Sequence, residues 1–166
     1  MSLDQATIAN PPISVVETPN LALDKVADPQ LVHAITLPIP AVLSGTTSPP
    51  IEKVYSDRIQ LVAGARTLDL TALVPGNITP DTDFTGLKIQ LLQFTSPENN
   101  LADITITPGA SDGYDLGGAG MSVTLSPGDT IIFALNDNAP DVGPTDKEID
   151  FAGSLIDDID ILIVAG

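Results

Sequence analysis

Apolar and polar residues alternate with a period of two from Tyr55 to the C terminus, a pattern typical of half-buried β-strands. In the segment Thr67–Leu73, for example, Leu68, Leu70 and Ala72 fall on one face. The alternation predicts eight strands, at Arg58–Val62, Thr67–Leu73, Leu87–Phe94, Ala102–Thr107, Met121–Leu125, Thr130–Leu135, Glu148–Phe151 and Ile156–Val164.

Turn-forming residues separate the predicted strands. Proline, glycine, asparagine and aspartate cluster between them, as in Pro75-Gly76-Asn77, and no stretch keeps a helical period over three turns. The segment Leu125-Ser-Pro-Gly128 predicts a tight turn, because proline presets φ at the second position and glycine accepts a positive φ at the third. The spacing predicts an all-β protein whose residues 55–166 form an antiparallel β-sandwich, of jelly-roll or Ig-like type.

Residues 1–54 differ in composition from the rest of the chain. Eight of the 15 prolines lie within the first 50 residues, and proline fixes φ, lacks an N–H and biases the residue before it toward an extended conformation. Short apolar runs remain between the prolines. We therefore predict an extended N-terminal arm that buries side chains against another molecule. Its predicted partner-binding residues are Ile13, Val15, Val16, Leu31, Val32, Ile35 and Leu37.

Charge limits the partners that this chain can bind. It has 22 acidic and 6 basic residues, a net charge of −16, but its 43% of apolar residues is too high for a solvated, disordered acidic chain. Six scattered cations cannot neutralise a track of phosphates, so we predict no nucleic-acid partner. Anionic membrane surfaces would repel the chain for the same reason, whereas basic patches on a protein would attract it.

Few residues are suited to catalysis. The chain has no cysteine, which excludes disulfides, thiolate zinc sites and cysteine nucleophiles. Its one histidine, His33, lies in the arm. A catalytic triad would have to be built on this residue, and we interpret it instead as an ordinary residue of an arm strand. Residues 1–6 show no secretory signal, and no apolar run reaches the roughly 20 residues of a membrane helix. We predict no catalytic residue, no cofactor and no membrane association.

Acidic residues are also the functional groups of two further kinds of site. Paired carboxylates such as Asp112 and Asp115 could serve a glycosidase, but the chain has no tryptophan and two tyrosines with which to stack a sugar ring. Residues 81–86 match the first half of an EF-hand loop, but Leu92 stands where the bidentate glutamate is required. The remaining calcium candidates are the loop residues Asp137, Asp141 and Asp146.

Five blocks of the sequence carry a resemblance to a known class of proteins. They are Thr67–Leu73, Asp83–Leu91, Gly113–Leu116, Leu125–Gly128 and Ile159–Gly166. Together they resemble small structural proteins encoded in tailed-phage genomes, of the capsid decoration, or cement, type. The resemblance covers residues 55–166, and the arm has no counterpart in it.

The resemblance implies a virion component on the capsid surface, made in the host cytoplasm and without enzymatic activity. Its expected partner is the major capsid protein, and its expected state is a homo-oligomer, a trimer by analogy with decoration proteins on local three-fold positions. Sandwich contacts and an arm strand that adds to a neighbour's sheet edge would then bind together more tightly than either alone.

Two other functions stay open at the level of the sequence. One is a receptor- or carbohydrate-binding module of a tail fibre or surface adhesin, which binding to a glycan array would favour. The other is a calcium-dependent or hydrolytic enzyme domain, which a loss of stability in EDTA would favour.

Overall fold

The structure is a computed structural model of the 166-residue chain. It describes residues 50–74, 82–118, 120–135 and 139–166, together with the backbones of four short strands nearer the N terminus. No helix with the length and hydropathy of a membrane span occurs in this part of the chain. The four N-terminal strands are Gln5–Thr7 (β1), Ile13–Glu17 (β2), Leu31–Ile35 (β3) and Val42–Ser44 (β4).

The four N-terminal strands pair with one another. β2 pairs antiparallel with β3, with Ile13 opposite Ile35 and Val16 opposite Val32. β1 pairs antiparallel with β4. In the sequence, the β2–β3 pair lies between these two strands. The sequence predicted extended segments in the arm, but it did not predict that these segments would find partners within the arm.

All eight strands that were predicted after residue 54 are confirmed. Each predicted segment overlaps one strand, and the ends shift by up to five residues. These strands are Lys53–Gln60 (β5), Ala65–Asp69 (β6), Ile89–Thr95 (β7), Ile104–Pro108 (β8), Val123–Leu125 (β9), Thr130–Ala134 (β10), Glu148–Ala152 (β11) and Asp158–Ala165 (β12).

The strand order gives this sandwich the jelly-roll topology. One four-stranded sheet runs β10-β7-β12-β5 and the other β6-β11-β8-β9, all with antiparallel neighbours. The first of the eight strands therefore pairs with the last, the second with the seventh, the third with the sixth and the fourth with the fifth. This nested pairing is how an eight-stranded jelly roll closes, whereas an Ig-like sheet pairs its first two strands directly. The tertiary structure thus decides between the two predicted sandwich types.

An aromatic cluster joins the two sheets. The ring of Phe94 on β7 makes edge-to-face contacts with Phe133 on β10, at a centroid distance of 6.2 Å, and with Phe151 on β11, at 5.4 Å. Edge-to-face contact is a preferred geometry for aromatic pairs. Tyr114 and Phe84 are also fully buried, so most of the described aromatic rings serve the core.

Two details of the predicted pattern are wrong. The alternation predicts Ala72 on the buried face with Leu68 and Leu70, but Ala72 is exposed. The strand stops at Asp69, whose Oδ1 atom accepts hydrogen bonds from the N–H (2.8 Å) and Oγ1 (2.6 Å) of Thr71 and so starts a turn. The alternation predicts Ile156 in the last strand, but Ile156 lies in the preceding loop and β12 begins at Asp158.

The chain enters and leaves the sandwich at the same point. The N–H of Glu52 donates to the carbonyl of Ala165 at 2.9 Å, and the carbonyl of Pro50 accepts from Nε2 of Gln90 at 3.2 Å. Ile51 packs with Leu91 and Val164 on the outer face of the first sheet, outside the main core. The arm therefore begins at the end of the sandwich that holds the C terminus, which we call the arm end.

Candidate binding surfaces

The end of the sandwich opposite the arm end carries four exposed aliphatic side chains. Their exposed fractions lie between 62% and 72%. They stand on the loops that follow β5, β7 and β11, and an exposed group of large apolar residues at one place is a common mark of an interaction site. We call this group the apolar tip; its members are Val62, Leu101, Leu155 and Ile156.

A buried aspartate holds the three loops of the apolar tip together. Asp157 is 1% exposed. Its Oδ1 atom accepts a hydrogen bond from the N–H of Leu101 at 2.7 Å, and its Oδ2 atom accepts one from the N–H of Ser154 at 3.0 Å. Its main-chain carbonyl accepts from the N–H of Leu61 at 2.8 Å. Hydrogen bonds to a charged acceptor are stronger than neutral ones, so this residue fixes the relative positions of the loops.

Asn100 provides a second connection beneath the apolar tip. Its Oδ1 atom accepts from the N–H of Asp158 at 2.9 Å, and its Nδ2 atom donates to the carbonyl of Asp158 at 2.7 Å. The same Nδ2 atom also donates to Oγ of Ser96 at 2.9 Å. The β7–β8 loop is therefore bound to the start of β12 by side-chain and main-chain groups. This arrangement gives the exposed aliphatic groups a rigid support.

The loop that carries Val62 is a tight turn. Val62 and Ala65 are bonded to each other, and the two residues between them have positive φ, 54° at Ala63 and 82° at Gly64. Two consecutive residues with positive φ are characteristic of the type I′ turn. A Cβ at Gly64 would lie 2.8 Å from the carbonyl oxygen of Gly153, so the turn packs closely on the β11–β12 loop.

The charge around the apolar tip is acidic. The loops at this end, residues 61–64, 96–103, 126–129 and 153–157, contain no lysine or arginine. They contribute the exposed carboxylates of Glu98, Asp103 and Asp129 beside the aliphatic groups. An apolar centre with an acidic border is complementary to an apolar surface with a basic border.

A polar groove lies on the outer face of the first sheet. It has a volume of about 440 Å³, and its lining includes Ser56, Gln93 and Thr95. An ion pair crosses it, with Nε of Arg58 2.5 Å from Oδ1 of Asp160 and Nη2 2.7 Å from Oδ2. Hydrogen bonding to Asp160 and its negative charge raise the pKa of Arg58 above its ordinary value.

A second depression of about 460 Å³ lies among the loops of the arm end, where Ser111 and Asp146 contribute to its wall. Asp115 also lines it, and the N–H groups of Gly117 and Gly118 donate to its Oδ1 atom. These hydrogen bonds hold the pKa of Asp115 below its usual range. The Asp115 carboxylate thus already accepts hydrogen bonds from main-chain N–H groups of its own loop.

The calcium candidates are not brought together in the described part of the chain. Asp141 lies 3.1 Å from Nζ of Lys88, and Oδ2 of Asp146 accepts from Oγ1 of Thr145 at 2.9 Å. Asp137 lies outside the described residues. Within the ranges that the structure covers, no group of three or more acidic or histidine side chains is arranged to hold a metal ion.

The predicted partner-binding residues of the arm are described by their backbones, except Leu37, which lies outside the described residues. Ile13, Val15 and Val16 lie on β2, where Val15 is opposite His33. Leu31, Val32 and Ile35 lie on β3. Their role in binding stays a prediction.

The pattern of the sequence did not predict the apolar tip. The alternation predicts Val62 and Ile156 within strands, whereas the structure places both in loops. The available signal was the position of large aliphatic residues next to glycine and asparagine, as at Gly153-Ser-Leu-Ile156 and Asn99-Asn-Leu101. Comparison with protein-family models, curated proteins and solved structures finds no match for this chain.

Proposed function

We propose that this chain is a virion structural protein that decorates and stabilises the capsid of a tailed phage, without a catalytic step. The observation that carries the proposal is the apolar tip, four aliphatic side chains held outward by the buried Asp157. Exposed aliphatic groups on a rigid support suit a permanent contact with another protein. The sequence resemblance supplies the identity of that partner, the major capsid protein.

The arm and the apolar tip would supply two separate contacts. The arm joins the sandwich at Pro50, at the end opposite the apolar tip, so one chain can reach two places on a shell. Linking two weak contacts raises the effective concentration of the second once the first has formed, which can raise overall binding by about 10²–10⁴. The proposed arm contacts are made by the apolar residues of β2 and β3.

Charge suggests the nature of the site on the capsid. The carboxylates of Glu98 and Asp103 border the apolar tip, and the chain as a whole carries a net charge of −16. We expect the complementary surface to have an aliphatic centre with lysine or arginine around it. Because salt screens the attraction between such borders, added salt should weaken attachment to the capsid.

Substitution of the apolar tip tests this proposal. We expect Leu101→Asp and Leu155→Asp each to weaken co-sedimentation with capsids at least about tenfold, since a charge replaces an aliphatic group at the centre of the contact. Val74→Asp is the matched control, because Val74 is 66% exposed but lies at the arm end. Equal binding by all three variants would remove the apolar tip from the proposal.

A second function has one observation in its favour. The polar groove on the outer sheet face, crossed by Arg58 and Asp160, offers the charged and amide groups that bind sugar hydroxyls. Against it, the described residues place no aromatic ring among those that line the groove. Binding of the protein to a glycan array, lost in Gln93→Ala, would favour the carbohydrate-binding module over the capsid protein.

A further inference from the structure

Strand β10 forms an unprotected edge of the first sheet. Its sequence, Thr130-Ile-Ile-Phe-Ala134, has no charged residue and no proline, and it lies at the end of the strand order. No other strand that the structure describes pairs with its outer side. Native proteins normally protect such an edge with charges, proline, a bulge or a very short strand.

The other three edges of the two four-stranded sheets carry such protection. β5 includes Lys53, Asp57 and Arg58, and β6 includes Arg66 and Asp69. β9 has three residues. Within the sandwich, the absence of protection is therefore specific to β10, and such an exception indicates an edge that has a partner.

The register with β7 shows which main-chain groups of β10 are available. The carbonyl of Asp129 accepts from the N–H of Ser96, and the N–H of Leu135 donates to the carbonyl of Gln90. Hydrogen-bonded pairs alternate along an antiparallel ladder, so the odd-numbered residues of β10 bond to β7. The N–H and C=O groups of Thr130, Ile132 and Ala134 consequently point outward along the free edge.

The side chains of β10 also suit this edge. Ile131 and Phe133 pack against the core, while Ile132 lies on the outer face and is 41% exposed. A partner strand would therefore extend the sheet without disturbing the core.

We propose that β10 pairs antiparallel with β10 of a second copy of this chain, around a two-fold axis at Ile132. This register places Ile132 opposite its own counterpart and Thr130 opposite Ala134. Two copies then share one eight-stranded sheet through an isologous interface. The contact closes at two copies, unlike the trimer that the sequence resemblance implies.

Charge makes self-pairing possible in this acidic chain. The carboxylate nearest to β10 in the sequence is Asp129, which this register places opposite Leu135 of the second copy. The two copies of Asp129 then lie about 20 Å apart, six residues along the strand. That separation exceeds the Debye length of about 8 Å at physiological ionic strength. Within Thr130–Ala134, the two paired strands therefore bring no like charges together.

The arm is the other strand source within the chain. Its strands pair with one another, β1 with β4 and β2 with β3, so each would have to bind β10 through its remaining free side. The edge strand β10 is uncharged and complementary to itself, so we assign the second copy as its partner. Pairing between copies needs no capsid, and it stands or fails independently of the proposed function.

Cysteine cross-linking tests the register, because the natural chain has no cysteine. Residues in a hydrogen-bonded antiparallel pair have Cα atoms about 5.5 Å apart, within the range for a disulfide. We expect Ile132→Cys to form a disulfide-linked dimer under mild oxidation. Thr130→Cys should not, because its two copies would lie about 13 Å apart. Thr124→Cys, on the exposed edge strand β9, is the control for random collision.

Absence of the Ile132→Cys dimer would overturn the proposal. So would equal cross-linking at all three positions. A mixture of Ile132→Cys and His33→Cys chains tests the arm directly. If the disulfide forms between these two chains, in place of the Ile132→Cys dimer, strand β3 occupies the edge.

Sedimentation of the full chain gives a second test. Ile132→Lys places two ammonium groups opposite each other, so we expect it to weaken dimerisation at least tenfold, whereas Thr124→Lys should leave it unchanged. Added salt should strengthen the wild-type dimer by screening the repulsion between two chains of net charge −16. A trimer, or a dimer that tolerates Ile132→Lys, would contradict the proposed interface.

Discussion

At the scale of single residues, Asp157 determines the shape of the apolar tip. A buried carboxylate is costly unless it is hydrogen-bonded, and Asp157 receives two main-chain N–H groups from different parts of the chain. Among the residues that the structure describes, no buried side-chain nitrogen or oxygen lacks a hydrogen-bond partner. The Asp157 carboxylate thus replaces hydrogen bonds to water with hydrogen bonds from main-chain N–H groups. These bonds fix the positions of the loops that carry Leu101 and Leu155.

Removal of this carboxylate should lower stability. Asp157→Ala leaves the N–H groups of Leu101 and Ser154 without an acceptor, so we expect it to reduce the free energy of unfolding by about 2–4 kcal/mol in urea denaturation. Asp157→Asn keeps one acceptor oxygen and should lose less. Asp103→Ala, at an exposed position on the same loop as Leu101, is the control and should change stability by about 0.5 kcal/mol or less. Equal stability of Asp157→Ala and Asp103→Ala would contradict the role given to Asp157.

At the scale of elements, close backbone packing holds the β8–β9 loop onto β11. The N–H groups of Gly109 and Tyr114 both donate to the carbonyl of Glu148, at 2.9 Å each. A Cβ on Gly109 would lie 2.3 Å from Cβ of Glu148, and a Cβ on Gly113 would lie 2.4 Å from the carbonyl oxygen of Gly109. Glycine is needed here because the backbones approach too closely for a side chain. Tyr114 is thereby set into the core.

Substitution of Gly113 tests this packing. Gly113→Ala forces the backbone of Gly109 to move, so we expect a loss of about 1–3 kcal/mol in the free energy of unfolding. Gly120→Ala, in the same loop, is the control, because a Cβ there has open space and the residue has no positive φ. Thermal or urea unfolding distinguishes the two variants. A neutral Gly113→Ala would mean that the loop can move away from β11 at little cost.

At the scale of the whole molecule, the two tyrosines report on the integrity of the core. They are the only tyrosines in the chain. Burial raises the pKa of Tyr114 to about 12 although the N–H of Ile89 opposes this shift. Burial, with the nearby carboxylate of Asp57, raises the pKa of Tyr55 to about 12. The hydroxyl of Tyr114 also donates to the carbonyl of Pro140 at 2.8 Å, which ties the β10–β11 connection to the core.

These raised pKa values predict alkaline unfolding. The tyrosines of the unfolded chain lose their protons near pH 10, whereas those of the folded chain keep them until about pH 12. The folded state binds more protons between these values, so the free energy of unfolding falls as pH rises through this window and is unaffected by these groups below it. Phenolate absorbance should show one transition near pH 12 in native protein and one near pH 10 in denaturant.

Tyr55→Phe provides the control for this titration. It should halve the phenolate signal and leave the midpoint of the remaining group unchanged. A tyrosine that titrates near pH 10 while circular dichroism shows an intact fold would contradict the buried position described here.

Local pattern determined the strands of this protein. Alternating side chains at Leu87–Phe94 or Glu148–Phe151 can bury one face only as strands, and the turn residues between them limit each strand to a few residues. Pattern also predicted the division between the proline-rich arm and the sandwich. It failed at Ala72 and Ile156, where hydrogen bonds of aspartate side chains with nearby main-chain N–H groups end or delay a strand.

Only the tertiary structure decided how the strands are ordered and which residues the molecule presents outside. The nested pairing of first strand with last depends on contacts between residues far apart in sequence, which periodicity does not encode. The apolar tip depends on three loops meeting at Asp157, and the free edge of β10 depends on its place in the sheet. The sequence by itself determined the local conformation of these strands, since that follows from neighbouring side chains, whereas the surfaces that can bind a partner follow from long-range packing.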